Sequence, residues 1–377
     1  MDDPRDTAFR LTLREANGAL GDIGTLLPLS LGAILLAGLS PQMVLTGFGI
    51  FYIATGLYYR LPIPVQPMKA IAAVALLGVV TPTEIALSGV LIGLVLLGLG
   101  GTGLIDRIAR LVPQSVLSGL QLGLGLSLAW VAIGLMQDQW LVGALSLGVA
   151  TVALWVGTQA AFLTIIVGIG AGIALGLPDA PALTTTPAPW SVPDMQDLRH
   201  AVSDLALPQL ALTLTNAVFL TALVAGDLFG KRAAHVTPRR LCLTSGLANL
   251  VLAPLGALPM CHGAGGVVAH HRFGARSGAA PCLMGVALLG TAALPGPVQA
   301  SILSAIPTAT LGALLGIAAW NLAISRRLID ARPSCLPVIA ATALATVFAD
   351  PLWGLLAGTV AEILRKAIIS TVQKRQR

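Results

Sequence analysis

Charge is scarce in this sequence. Asp, Glu, Lys and Arg make up 10% of its 377 residues, against about a quarter in an ordinary soluble domain. Hydrophobic residues reach 56% and mean hydropathy is +0.87. Too little polar surface is left to solvate a globule, so the chain reads as a polytopic membrane protein. Aromatic residues are sparse at 5%. The four cysteines, Cys242, Cys261, Cys282 and Cys335, lie in or beside apolar runs without CxxC spacing, which speaks against a disulfide framework and a zinc site. The run Gly263-Ala-Gly-Gly266 fits neither GxGxxG nor GxxxxGK[ST]. No nucleophile–base set or metal cluster stands out, so an intramembrane enzyme is not expected, and neither is a metal or cofactor. The formal charge of +6 comes from short basic clusters between apolar runs, a mark of membrane topology rather than of nucleic-acid binding.

One apolar segment begins wrongly for a span. Leu61-Pro-Ile-Pro-Val-Gln-Pro67 holds three prolines in six residues, Pro62, Pro64 and Pro67. Each lacks an N–H and pushes its predecessor toward extended geometry. From Met68 to Gly78 small apolar residues predict a half-length helix, with Pro67 in its first turn. Lys69 falls in that turn, where the helix dipole is already positive, so it calls for an anion or carboxylate nearby. Non-helical backbone at membrane depth is tolerated only against protein or a polar cavity, and broken helices mark transporter binding sites.

Taken in order, residues 1–15 form a basic cytoplasmic arm and residues 16–177 hold seven spans. The first span, 16–38, carries Gly21-Asp-Ile-Gly-Thr25, and no signal peptide is expected ahead of it. A Pro-rich polar linker, 178–207, precedes seven more spans over 208–370 and a tail, 371–377, with no soluble domain expected beyond it. The second half restarts at Pro208-Gln-Leu-Ala-Leu-Thr-Leu-Thr-Asn216 and repeats the unusual segment as Leu258-Pro-Met-Cys-His-Gly-Ala-Gly-Gly266. An odd number of spans per half inverts the second half relative to the first. With the N-terminus inside, the loops carrying Arg60, Arg107, Lys231, Arg239, Arg272 and Arg326 are all cytoplasmic, as is the tail; Arg199 alone is outside. The expected fold is thus all-α, about 14 spans as a 7+7 inverted repeat, in a plasma or inner membrane with both termini cytoplasmic.

From His262 to Arg272 is ten residues, roughly 15 Å of helix, or half of a ~30 Å hydrocarbon core. The second short helix therefore starts near the midplane, and inverted symmetry puts the start of the first opposite it. Two facing helix N-termini favour an anion. Lys69 adds a full charge, Gln66, Cys261 and His262 add polar groups, and Gly263 allows close approach. Thr25, Gln209, Thr215 and Asn216 from neighbouring spans are candidate liners, and Asp22, His262 and Glu362 are candidate coupling groups.

Gly21-Asp-Ile-Gly-Thr-Leu-Leu-Pro28, Pro64-Val-Gln-Pro-Met-Lys69, Leu214-Thr-Asn216 with Asp227-Leu-Phe229, and Pro259-Met-Cys-His-Gly-Ala-Gly-Gly266 followed by Arg272-Phe-Gly-Ala-Arg-Ser-Gly278 resemble the signature segments of the molybdate transporter family, relatives of the sulfate permeases. The resemblance covers both halves. It implies the fourteen-span fold with core and gate domains, elevator-like motion and molybdate as substrate. A homodimer is common in related folds. The regulatory domain that typical sulfate permeases carry at their C-terminus is not expected here, in keeping with the molybdate branch.

Bland alternatives stand beside each residue. Lys69 could snorkel to an interface or pair with Asp22. Asp22 could orient Lys69 or carry a proton, and Gln66 could cap a helix. His262 could be a satisfied buried histidine, Cys261 a small filler, and Thr215 and Asn216 interhelical glue. For the whole chain the alternatives are a sulfate or general oxyanion permease (tungstate included), and a proton-coupled carrier of nucleobase-like substrates, against which Lys69 argues.

Overall fold

The computed structural model describes residues 9, 11–75, 80–111, 113–156, 160–176, 192–324, 326–349 and 351–375. Helix follows helix through most of them. α1 (Leu13–Leu20) and α2 (Ile23–Ala37) flank Gly21 and Asp22, and α3 (Pro41–Tyr59) precedes the proline-rich stretch. That stretch runs through β1 (Gln66–Pro67) into the short α4 (Lys69–Ala75). Next come α5 (Pro82–Thr102), α6 (Leu104–Leu111), α7 (Gln114–Met136), α8 (Trp140–Val156) and α9 (Ala160–Ala174). α10 (Met195–His200), α11 (Leu207–Leu212) and α12 (Thr221–Phe229) are joined by π-helical turns at Ala201–Ala206 and Thr213–Leu220 into one run. After α13 (Pro238–Leu252), β2 (Met260–Cys261) feeds α14 (Ala264–Arg272). The chain closes with α15 (Ala279–Ala292), α16 (Gly296–Ser304), α17 (Thr308–Ala323), α18 (Arg326–Ile329), α19 (Leu336–Phe348) and α20 (Pro351–Arg375).

Local chemistry sets many of the starts. Thr81 opens α5 with a capping box: its hydroxyl accepts from Glu84 N–H while the Glu84 carboxylate accepts from Thr81 N–H. Ser40 and Thr237 cap α3 and α13, each followed by proline in the first turn. Among the described residues, three helical runs are long and apolar enough to cross a membrane: Pro82–Thr102, Gln114–Val156 and Thr213–Ala233. Ala160–Ala174, Ala279–Ala292, Thr308–Ile317 and Pro333–Phe348 are shorter apolar helices.

The structure departs from the sequence reading in four places. The first span is two helices broken at Gly21–Asp22; Gly18 and Gly21 lie so close to Ala275, Ala269 and Phe273 that an added Cβ would collide with them. The helix of the second half begins at Met195, well before Pro208, because Asp194 and Asp197 form a capping box. That shortens the expected 178–207 linker, whose stretch up to residue 191 lies outside the described residues. Pro208 sits near the start of α11 directly after a π-helical stretch, inside a continuous helical run. Finally, the extended segments are paired strands, so the fold is not purely helical.

Small residues bring the helices close. α3 packs on α15 at Gly49 and Gly56; a Cβ on Gly49 would stand 3.0 Å from Gly285 O, and one on Gly56 2.5 Å from Gly278 O. α5 lies on α13, while α7 packs against α17 and α19, and α20 lies on α19. α17 also reaches α2 and α14, tying that group to the elements around the strands.

Candidate functional site

Everything at the centre hangs on two short strands. β1 and β2 pair antiparallel, Gln66 opposite Cys261 and Pro67 opposite Met260, and Met68 N–H donates to Pro259 C=O at 2.9 Å. Asn249 of α13 serves as a third strand: its carboxamide accepts from Met260 N–H at 2.8 Å and donates to Met260 C=O at 2.6 Å. Pro62, Pro64, Pro67 and Pro259 bring no N–H that would need a partner in an apolar interior. α4 and α14 thus start from one shared clasp.

Polar side chains gather around it. Gln66 Nε2 donates to Asp22 Oδ1 at 2.7 Å, and the Tyr52 hydroxyl stands 3.4 Å from Asp22 Oδ2. Asp22 precedes α2, one turn from Thr25, whose N–H donates to Asp22 C=O at 3.0 Å. Both Asp22 and Gln66 are 1% exposed, so neither is satisfied by bulk water. Glycine is required opposite them: a Cβ on Gly263 would collide with Gln66 Oε1, and one on Gly266 would stand 2.7 Å from Asp22 Oδ2. The run of α10–α12 lends two carboxamides. Gln209 Oε1 accepts from Ala70 N–H in the first turn of α4 at 2.7 Å, with its Nε2 donating to Thr213 at 2.9 Å. Asn216 Oδ1 accepts from Ala264 N–H at the start of α14 at 3.4 Å. Among the buried polar atoms with no hydrogen-bond partner among the described residues are two at the clasp, Lys69 Nζ and Gln66 Oε1.

Gln66, Lys69, Asp22, Gln209, Asn216 and Gly263 are therefore brought together, with Thr25 and Cys261 adjoining through Asp22 and β2. Thr215 is buried in the same run, its hydroxyl 3.3 Å from Leu212 C=O of its own turn. His262 is wholly buried, but its ring is engaged elsewhere: Nδ1 donates to Pro64 C=O at 2.9 Å and Nε2 lies 2.9 Å from the Thr244 hydroxyl. Thr244 in turn bonds the Tyr59 hydroxyl at 2.9 Å, and the Phe51 ring lies 5.3 Å away. That environment matches a satisfied buried histidine. Glu362 sits apart on α20 and is neutralised by Arg365 at 2.7 Å, with Ser115 at 2.9 Å. The sequence reading passed over Tyr52, Tyr59, Thr244 and Asn249. A lone asparagine inside an apolar run was the available signal for Asn249, and for the tyrosines their rarity, since the chain has only three.

The clasp thus gathers a buried cation, the starts of two short helices and close-approach glycines at paired, broken helices. Comparison with known proteins identifies the family. The family model described as "Molybdate transporter of MFS superfamily" matches residues 14–128 and 201–322. Molybdate transporter 2 of Arabidopsis thaliana is 29% identical over 407 residues, 93% of this chain and 87% of that protein. Molybdate transporter 1 of the same plant is 30% identical over 373 residues, 85% of this chain and 81% of the relative. In fold, the chain is similar to the transmembrane domain of a cyanobacterium bicarbonate transporter, BicA, with TM-score 0.56 and 17% identity over 91% of this chain and 97% of that one. With the family matched in both halves and a membrane-transporter fold around the clasp, the chain belongs to the molybdate transporter family and is a multi-pass membrane protein.

Proposed function

We propose that this protein is a secondary transporter that takes up molybdate through a midplane site at the β1–β2 clasp. The observation that carries the reading is Lys69, whose ammonium is buried without a hydrogen-bond partner among the described residues and interacts electrostatically with Cys261 and Asp22. Burying an ammonium costs several kcal/mol (roughly, for one ion); Asp22 offsets part of that, and a tetrahedral dianion supplies further charge. The matched family supplies the identity of that dianion. The paired half-helices support a seven-plus-seven inverted repeat in which core and gate groups of helices slide past one another. The basic loops support cytoplasmic termini. Moving a dianion inward against an inside-negative potential costs about 4.6 kcal/mol per 100 mV, so uptake is coupled to a cation, and protons fit best. Of the coupling candidates, Asp22 is the one bonded to a site residue.

Titration calorimetry of the purified protein with molybdate, tungstate and sulfate, repeated on Lys69→Ala, tests this. Molybdate and tungstate should bind, sulfate should not, and the variant should lose binding. Equal binding of sulfate would make the protein a general oxyanion permease, a reading that the fold's similarity to a bicarbonate transporter keeps in view. A folded protein that binds none of the three would sink the anion site and restore the nucleobase-type carrier.

A further inference from the structure

Gln209 and Asn216 lie seven residues apart, two helical turns on one face of the same run. Each places its carbonyl oxygen, not its NH2 group, on a backbone N–H at the start of a different half-helix: Gln209 on Ala70 and Asn216 on Ala264. An N–H that donates to a carboxamide is not free to donate to an oxyanion. The NH2 group of Gln209 is engaged with Thr213, so what this side chain turns toward α4 is an acceptor, which repels an anion. An independent mark of an anion position is Lys69 Nζ, buried without a hydrogen-bond partner among the described residues.

We infer that Gln209 and Asn216 are internal stand-ins for the substrate, acceptors that hold the helix-start N–H groups until an oxyanion displaces them. This rests on the proposed oxyanion site and adds a mechanism to it: binding exchanges two carboxamide oxygens for two substrate oxygens. The displacement sets affinity at a moderate level and so allows release. It also reverses the sign of a mutation. If the carboxamides were direct ligands, removing either would weaken binding. As stand-ins, their removal leaves the N–H groups unsatisfied in the ligand-free protein and tightens binding.

Calorimetric titration with molybdate on wild type, Asn216→Leu and Gln209→Met, with thermal unfolding of each, decides the matter. Expected are dissociation constants lower by about three- to tenfold in each variant, the scale of one hydrogen bond. The ligand-free melting temperature should fall and the molybdate-induced rise should grow. Should one variant fail to fold, the other carries the same sign test. Weaker or unchanged binding in a folded variant overturns the inference while leaving the oxyanion site intact. A wild type that binds no oxyanion overturns the site and the inference together.

Discussion

Gly263 and Gly266 show how narrowly this site is built. No side chain fits at either position without moving Gln66 or Asp22. Gly263→Ala should therefore displace the Gln66 carboxamide and weaken molybdate binding by about tenfold or more, the loss of a charge-assisted contact, in a calorimetric titration. Asp22→Asn is the complementary change. The isosteric carboxamide still accepts from Gln66 Nε2, so the fold should hold, but it cannot take up a proton. In proteoliposomes, molybdate uptake by wild type should rise with an inward proton gradient, and the variant should bind molybdate without responding to the gradient. Uptake that stays gradient-driven in the variant would remove Asp22 from coupling. Glu362, already neutralised by Arg365, should tolerate Gln with the gradient response unchanged.

At the scale of elements, the clasp depends on a residue outside it. Asn249 satisfies both backbone groups of Met260, so Asn249→Leu leaves a buried N–H and C=O without their partner. The loss should be about 2 kcal/mol or more, read as a lower melting temperature in nanodiscs, whereas Asn249→Asp, which keeps the acceptor, should lose less. This residue also shows where the sequence stopped being legible. The prolines before Lys69 and the Pro-Met start of the second segment announced two broken helices, and α4 and α14 begin where those signals put them. What the prolines could not announce was that the two segments pair with each other, because strand pairing across nearly two hundred residues leaves no local mark. The early start at Met195 was legible in Asp194 and Asp197, but their polarity reads equally well as loop. His262 was visible as polar and central; the direction of its ring depends on Thr244 and Pro64, which only packing brings near.

For the whole molecule, the asymmetry of basic residues is the testable quantity. Gln196 is exposed on α10 and Lys231 is exposed beyond α12. In a background without the four native cysteines, Gln196→Cys should react with a membrane-impermeant maleimide from outside intact cells. Lys231→Cys should react only after the membrane is opened. Labelling of both from one side would refute the assigned orientation.

The shared clasp has a thermodynamic corollary. Met68 N–H donates to Pro259 C=O, and Met260 N–H is held by Asn249, so opening either strand opens the other. Protection of these amides against deuterium is then a joint property of residues far apart in the chain. A lesion at Asn249 should speed exchange at Met68 as well as at Met260, and by reciprocity a perturbation near Met68 should be felt at Met260. The two half-helices should then exchange as one foldon, formed and lost in a single event.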